Sequence, residues 1–208
     1  MARLFANQAG FPLRDNWFMV QVMHEGTKAL SWALVILLLV GIAWPVGFLR
    51  RLDRGERVQL ALSVVASVLV VSAIKFGSRT SCPWDVDVFG GMARHVSHWS
   101  WGRFDGGPGK CFPAGHASAA FAFLGGYFLL ARRVPGAAPW WLAGAVLGGL
   151  MLGLAQQMRG AHYMSHTLWT AWICWTTGLA IDSAWQWWRA RGANEAVLGA
   201  ASGRPSSS

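Results

Sequence analysis

Apolar residues in this chain occur in long runs rather than in the short periodic stretches of a soluble fold. Five runs are long enough, or nearly so, to cross a hydrocarbon core of about 30 Å as helices. They are Leu30–Leu49, Val58–Phe76, His116–Ala131, Trp140–Met158 and Ser165–Trp188. The pattern therefore predicts an all-α fold, a polytopic transmembrane helix bundle with five spans and a long outer loop over Gly77–Gly115.

The segments outside the runs suggest how the chain is divided. Residues 1–28 lack a continuous apolar core, which excludes a cleavable signal peptide there and predicts an N-terminal interfacial segment. Asp15 would cap a short helix in this segment. Residues 29–191 form the predicted transmembrane domain. Residues 192–208 are small and polar, so we predict a disordered cytoplasmic tail.

Composition agrees with lipid as the solvent of this protein. Charged residues make up 13% of the chain, against about 25% in a soluble domain. Many of the 14 Trp stand near the ends of apolar runs, as in an interfacial aromatic belt. The net charge of +9 comes from clusters between the runs and not from a basic stripe with spaced aromatics. We therefore expect the bilayer, and not a nucleic acid, as the partner.

Arginine placement predicts the orientation of the bundle. With five spans, three Arg-rich places fall on one side: Arg50–Arg57, Arg132–Arg133 and Arg189–Arg191. Short Arg-rich connections are typical of the cytoplasmic side. The long loop and the Arg159–Ser165 connection then lie on the other side. This predicts an integral membrane protein whose long loop and Arg159–Ser165 connection lie on the non-cytoplasmic side.

Three distant segments bring unusual polar residues to that outer side. They read KFGSRTSCPWD from Lys75, CFPAGHAS from Cys111 and QQMRGAHYMSH from Gln156. Ionisable residues at span ends that share one face indicate a functional site. Cations and a helix start at Gly115 suit the charge that develops during phosphoryl transfer. Two histidines can divide the work between nucleophile and general acid.

These segments resemble the motifs of the type 2 phosphatidic acid phosphatase superfamily, K-x6-R-P, P-S-G-H and S-R-x5-H-x3-D. The resemblance covers the order, spacing and helical setting of the motifs from Lys75 to Thr170. It implies a six-span bundle in a bacterial inner membrane, with the active site facing the periplasm. It also implies a phosphohistidine mechanism that uses no metal or other cofactor. Six spans require one more helix before Phe11, so either translation starts upstream or the N-terminus is exported as it stands.

The first two motifs match in part. The matching residues are Lys75, Pro83, Pro113, Gly115 and His116. Cys82 stands at the Arg position of the first motif, and Arg79 is the candidate substitute. Ala114 replaces the Ser of the second motif, which removes a hydroxyl and keeps the backbone N–H. The resemblance gives His116 the role of general acid.

The third motif is the most altered. The stretch Gly160-Ala-His-Tyr is similar to the family's Gly-x-His-Tyr/Phe, which implies that His162 is the nucleophile. Gln156 then stands at the Arg position, with Arg159 as its substitute, and His166 stands in place of the orienting Asp. The expected phosphate-binding set is Lys75, Arg79, Gly115, Gln156 and Arg159.

The predicted function is hydrolysis of a phosphate monoester or diphosphate on a membrane lipid at the non-cytoplasmic face. The substrate stays open among phosphatidic acid, phosphatidylglycerol phosphate, a polyprenyl diphosphate and a lipid A-type phosphoglycolipid, and the oligomeric state also stays open. One alternative is transfer of the phosphate to another lipid, and a second is binding of lipid phosphate without catalysis. A third is a zinc site of His116, His162 and His166.

Two of the three cysteines lie in the long loop. Cys82 and Cys111 both fall on the oxidising side of the predicted topology, whereas Cys174 lies within an apolar run. A disulfide between Cys82 and Cys111 would tie the first motif to the second. The alternative is a free Cys82 thiol that lines the pocket.

Overall fold

The computed structural model describes residues 1–97, 99–100 and 102–201, and this part of the chain contains helices and no β-strand. Its α-helices are α1 (Thr27–Val40), α2 (Arg54–Gly77), α3 (Ser118–Phe121), α4 (Gly126–Arg133), α5 (Ala138–Met158) and α6 (Met164–Ala201). A 3-10 turn, Ala122–Gly125, joins α3 to α4. Five rods result within the described residues, and the predicted all-α fold class is confirmed.

Three helices of the described chain are long and apolar enough to cross a membrane, namely Phe18–Val40, Arg54–Gly77 and Ala138–Met158. The other two predicted runs are also helical. One is divided by the 3-10 turn between α3 and α4, and the other, α6, carries the buried carboxylate of Asp182. A charged residue lowers the mean hydropathy of the run that contains it. It can still be buried inside the bundle when polar side chains pair with it.

The first span lies earlier in the chain than the predicted run Leu30–Leu49. A π-helix over Phe18–Gly26 continues directly into α1 and forms one unit of 23 residues. The structure therefore corrects the separate interfacial helix expected within residues 1–28. The backbone N–H of Met19 is 3.3 Å from the Asn16 side chain, so Asn16 rather than Asp15 caps the entry to this helix.

Small residues let the rods approach closely, as is common between membrane helices. A Cβ on Gly178 of α6 would lie 2.3 Å from the Cα of Gly125, so the two backbones touch. The Phe121 ring lies against Gly149 of α5 in the same way. These contacts hold the broken α3–α4 rod in the centre, between α2, α5 and α6.

Successive rods run in opposite directions, so the connections separate into two ends. We call the end that holds residues 78–117 and 159–163 the site end, and the opposite end the arginine-rich end. At the arginine-rich end, Asp53 and Glu56 form a reciprocal capping box that starts α2. There α6 continues to Ala201, into the segment 192–208 for which we predicted disorder, and residues 202–208 lie outside the described residues.

Candidate active site

A cavity of about 600 Å³ opens at the site end, between the first helix, α2 and the loops that precede α3 and α6. It collects residues from all three motif segments. The predicted site residues that line it are Lys75, Gly115, His116, Gln156, Arg159 and His162. Polar and aromatic residues that the sequence did not single out also line it: His24, Lys28, Ser31, Ser72 and Trp84.

A disulfide joins the first motif to the second. The Cys82 and Cys111 sulfurs are bonded, with the Cα atoms 5.1 Å apart. Beside the bond, the loop arms pair through Lys110 N–H to the Ser78 carbonyl at 2.8 Å and Cys111 N–H to the Thr80 carbonyl at 2.9 Å. The α2 end and the segment before α3 are therefore held together as one wall of the cavity.

His162 lies in the turn between α5 and α6 and is 6% exposed. Its Nδ1 is 3.4 Å from the Cys111 sulfur. Burial lowers the pKa of His162 well below its ordinary value, and the charge of Lys75 lowers it further. A hydrogen bond to the Cys111 backbone opposes these effects. His162 is therefore neutral, as a nucleophilic imidazole must be.

Gly160 sets the shape of the turn that carries His162. Its φ of +76° suits glycine, and a Cβ there would lie 2.3 Å from the Phe11 ring. Phe11 is buried on this glycine and packs against Phe89. Trp84 N–H donates to the Gly160 carbonyl at 3.0 Å. The N-terminal segment and the long loop thus both brace the turn.

His116 lies in the loop just before α3, which begins at Ser118 and not at the predicted Gly115. Its Nε2 is 3.0 Å from the Met23 carbonyl oxygen and 3.0 Å from the Thr27 hydroxyl. Its ring stacks on His24 with centroids 4.3 Å apart. Burial lowers the pKa of His116 to about 4, against the effect of the Met23 carbonyl. His116 is therefore neutral in the empty cavity at neutral pH.

Two of the predicted phosphate-binding cations, Lys75 and Arg159, line the cavity, together with Lys28 of the first helix. Lys75 Nζ donates to the Lys110 carbonyl at 2.6 Å, and its stem lies on Gly115, where a Cβ would be 3.1 Å from the Lys75 Cδ. Arg159 is buried, and its Nε donates to the Arg14 carbonyl at 2.9 Å. Both cations can face a phosphate group in this cavity, because the cavity wall includes their side chains.

Two predicted site residues lie away from the cavity. Arg79 is exposed, and its guanidinium donates to the Gly102 carbonyl at 3.4 Å. It follows the end of α2 in a loop arm whose backbone pairs with residues 110–111. His166 is fully buried, with its ring centroid 5.8 Å from that of His162. His166 packs behind His162 and is not among the residues that line the cavity.

The described residues do not assemble the zinc site of His116, His162 and His166. The potential ligand atoms that lie within 4.8 Å of one another belong to Cys82, Cys111 and His162. The two sulfurs of that group are bonded to each other, whereas zinc binds cysteine as the thiolate. His116 Nε2 is occupied by the first helix.

His24 is the main site residue that sequence reasoning missed. It lies near the end of the π-helical segment Phe18–Gly26, half-buried, and it contacts both His116 and Gln156. A signal was present, because His24, Glu25 and Lys28 are ionisable residues inside an apolar segment. Such residues in a span mark functional sites, but the predicted span started after them.

A family model described as the PAP2 superfamily matches residues 57–191. The matched segment contains all three motif segments and extends from the first turn of α2 into α6, whereas the first helix lies outside it. Neither a curated protein nor a solved structure matches this chain.

Proposed function

The chain belongs to the PAP2 superfamily, and we propose that it hydrolyses a phosphate monoester or diphosphate carried by a membrane lipid. Membership implies phosphatase-type hydrolysis of a phosphoester, and the apolar helices indicate a membrane protein. One observation carries the finer proposal. A single cavity combines the neutral histidines His116 and His162 and the cations Lys75 and Arg159 with an apolar groove between α1 and α2.

The groove supports a lipid as the substrate. Its apolar wall consists of Trp32, Val35, Val65, Val68 and Leu69. Trp32 is 58% exposed and Leu69 is 62% exposed, so in a membrane this wall borders the hydrocarbon. An acyl or polyprenyl chain would lie along the groove while its phosphate reaches the polar end. The lipid chain does not have to pass through water to reach this groove, because the substrate enters from the bilayer.

In the proposed first step, His162 attacks phosphorus. Its Nδ1 edge faces Cys111, which leaves Nε2 to form the P–N bond. Lys75 and Arg159 stabilise the charge on the non-bridging oxygens. The bond from phosphorus to the lipid oxygen breaks, and His116 donates a proton to that oxygen. Water then attacks the phosphohistidine, His116 accepts its proton, and inorganic phosphate leaves.

The protonation of His116 follows from what enters the cavity. Burial keeps the ring neutral when the cavity is empty, but a general acid must carry an extra proton. A phosphate dianion placed beside the ring favours the charged imidazolium. The substrate therefore creates the acid form of His116 when it binds, and departure of phosphate returns the ring to its neutral form.

The site end faces the non-cytoplasmic side in this proposal. Two independent features support that orientation. The arginine-rich connections lie at the other end, as in cytoplasmic loops. The Cys82–Cys111 disulfide lies at the site end, and disulfides persist in oxidising compartments such as the periplasm.

The test is release of inorganic phosphate by purified protein in lipid discs that contain a chelator. Four substrates are compared: phosphatidic acid, phosphatidylglycerol phosphate, a polyprenyl diphosphate and a lipid A-type phosphoglycolipid. We expect turnover of at least one, and its loss in His162→Ala. Phosphate that appears on a second lipid would indicate a transferase, and binding without release a lipid-phosphate receptor. Equal turnover by His162→Ala would remove the nucleophile assignment.

A further inference from the structure

The first helix lies outside the residues that match the family, yet its π-helical end surrounds His116. Three residues on adjacent turns make the contacts. Met23 offers its carbonyl oxygen, Thr27 its hydroxyl and His24 the face of its ring. A contact set of this kind is unusual for a helix that merely spans the membrane.

The helical register explains why a backbone carbonyl is available. At the junction with α1, the Thr27 N–H bonds to the carbonyls of Val22 and His24 and passes over that of Met23. The Met23 oxygen instead accepts from the Thr27 hydroxyl at 2.7 Å and from His116 Nε2 at 3.0 Å. Shifted π-helical turns recur at functional sites because they free backbone groups in this way.

The free carbonyl determines which nitrogen of His116 delivers a proton. A carbonyl oxygen only accepts, so Nε2 of His116 carries the hydrogen that faces Met23. When the ring gains a second proton, that proton is on Nδ1. The hydrogen bond at one nitrogen thus fixes the role of the other, as in other catalytic histidines.

His24 connects this acid arm to the phosphate-binding arm. Arg159 can only donate, so the Gln156 atom 3.4 Å from its guanidinium is the amide oxygen. The Gln156 nitrogen therefore donates to His24 Nδ1 at 3.3 Å. The opposite side of His24 stacks on His116. A substitution at His24 would therefore alter the contacts of His116 and also those of Gln156, which accepts a hydrogen bond from Arg159.

We propose that the first helix is part of the active site and that His24 and Thr27 are positioning residues for His116. The proposal rests on the role of general acid that the proposed function gives to His116. The charged and titratable groups around His116 are His24 and Glu25 on the first helix, Arg159 at the end of α5 and His162 in the turn before α6. His24 and Thr27 thus fix the orientation of the ring among these groups.

Steady-state kinetics on the best substrate provide the first test. His24→Ala removes the stacked ring, and we expect kcat to fall about 10-fold to 100-fold with a smaller change in KM. His24→Phe keeps a stacked ring and should recover part of the loss. Thr27→Val removes the hydroxyl and should lower kcat more than Thr27→Ser does. Gln21→Ala, an exposed position on the same π-helix, is the matched control and should not change kcat.

Nitrogen NMR of histidine-labelled protein provides a test that does not depend on activity. We expect the His116 signal, assigned with His116→Gln, to show the Nε2–H tautomer in the wild type. The titration of His116 should shift in His24→Ala and in Thr27→Val, and not in Gln21→Ala. If the wild type releases no phosphate, the proposed function fails, and the NMR result still decides whether the first helix holds His116.

Two results would overturn the inference while the proposed function stands. One is an active wild type whose kcat and His116 titration are unchanged by His24→Ala and Thr27→Val. The other is a rise of kcat in these variants, which would mean that the first helix blocks His116 instead of orienting it. An Nδ1–H tautomer in the wild type would contradict the predicted bond to Met23.

Discussion

His162 and His116 start from the same neutral form and need opposite forms in the first chemical step. His162 is enclosed by protein, and the nearby charge of Lys75 disfavours its protonation. His116 is only half-buried and lines the cavity that the phosphate enters. In the proposed mechanism the two rings therefore differ in protonation when phosphate is bound. The anion favours the protonated form of the ring that it contacts, His116, while His162 stays neutral.

Replacement of the general acid should matter only when the leaving group needs a proton. We expect His116→Ala to lower turnover of a lipid phosphate about 10²-fold to 10⁴-fold. With p-nitrophenyl phosphate, whose leaving group is stable as an anion, the first step should change little. Rapid-quench measurement of the burst of p-nitrophenol isolates that step. An equal loss on both substrates would show that His116 binds phosphate rather than donating a proton.

The pH profile should reflect the lowered pKa of His162. The nucleophile is active when neutral, so kcat/KM should be retained as the pH falls through the ordinary histidine value of 6.5 and be lost only well below it. Lys75→Met removes a charge that lowers this pKa, so its acid limb should move upward toward 6.5. The substrate titrates equally in both proteins, which makes the difference diagnostic. An acid limb at the same pH in both would contradict the assignment.

Motif spacing was enough to bring most site residues together, because Lys75, His116, Arg159 and His162 each lie where a rod ends. Arg79 lies away from the cavity, and the sequence could not show this because sequence distance does not reveal which way a loop side chain points. His24 was missed for a different reason. Its partners, His116 and Gln156, are far away in the chain, and only the tertiary structure brings them into contact.

At the scale of elements, boundaries were predictable where local chemistry marks them. α2 begins at an Asp–Glu capping box, and α5 has a proline in its first turn. The predicted runs Val58–Phe76 and Trp140–Met158 accordingly fall within these helices. Asn16 caps the entry to the first helix, but the polar residues His24, Glu25 and Lys28 interrupt its apolar segment. Its π-helical register and its contacts with His116 are not encoded in hydropathy.

The disulfide should stabilise the loop that forms the cavity wall. Cys82 and Cys111 are separated by 29 residues, and the chain-entropy model assigns such a closure about 3–4 kcal/mol. The double variant Cys82→Ser, Cys111→Ser should therefore unfold at lower denaturant or temperature, with Cys174→Ala as a control. Its turnover should also fall, because Cys111 contacts His162.

Thiol labelling checks the bond directly. Unreduced protein should show no labelling at Cys82 or Cys111, and labelling of both should follow mild reduction. Ready labelling of Cys82 before reduction would contradict the bond. Unchanged stability in the double variant would mean that the loop is held by its backbone hydrogen bonds alone.

At the scale of the whole molecule, the two ends have different electrostatics. The arginines opposite the site neutralise buried carboxylates and are more than topological signals. Arg132 donates to Asp182 at 2.9 Å, and Arg133 pairs with the buried Glu56. Arg189 reaches Asp53 at 3.2 Å. These pairs tie α2, α4 and α6 at the end opposite the candidate site, and removal of Arg132 would leave the buried carboxylate of Asp182 without its cation.

The orientation can be tested with single introduced thiols. Val88→Cys adds an exposed thiol at the site end, and Gly136→Cys adds one between α4 and α5, where the position is open. A membrane-impermeant maleimide should label Val88→Cys in cells with a permeabilised outer membrane. Gly136→Cys should be labelled only after the inner membrane is opened. The reverse pattern would place the site in the cytoplasm.

The Cys82–Cys111 bond also links activity to the way the protein is made. Thiols stay reduced in the cytoplasm, so under the proposed orientation the bond forms only after the loop has been translocated. A newly synthesised chain would then have both histidines before it has a rigid site, and lipids of the inner leaflet would be spared during biogenesis. Cells that lack a periplasmic thiol oxidase should accordingly accumulate full-length protein of low specific activity, which an oxidant added to isolated membranes restores.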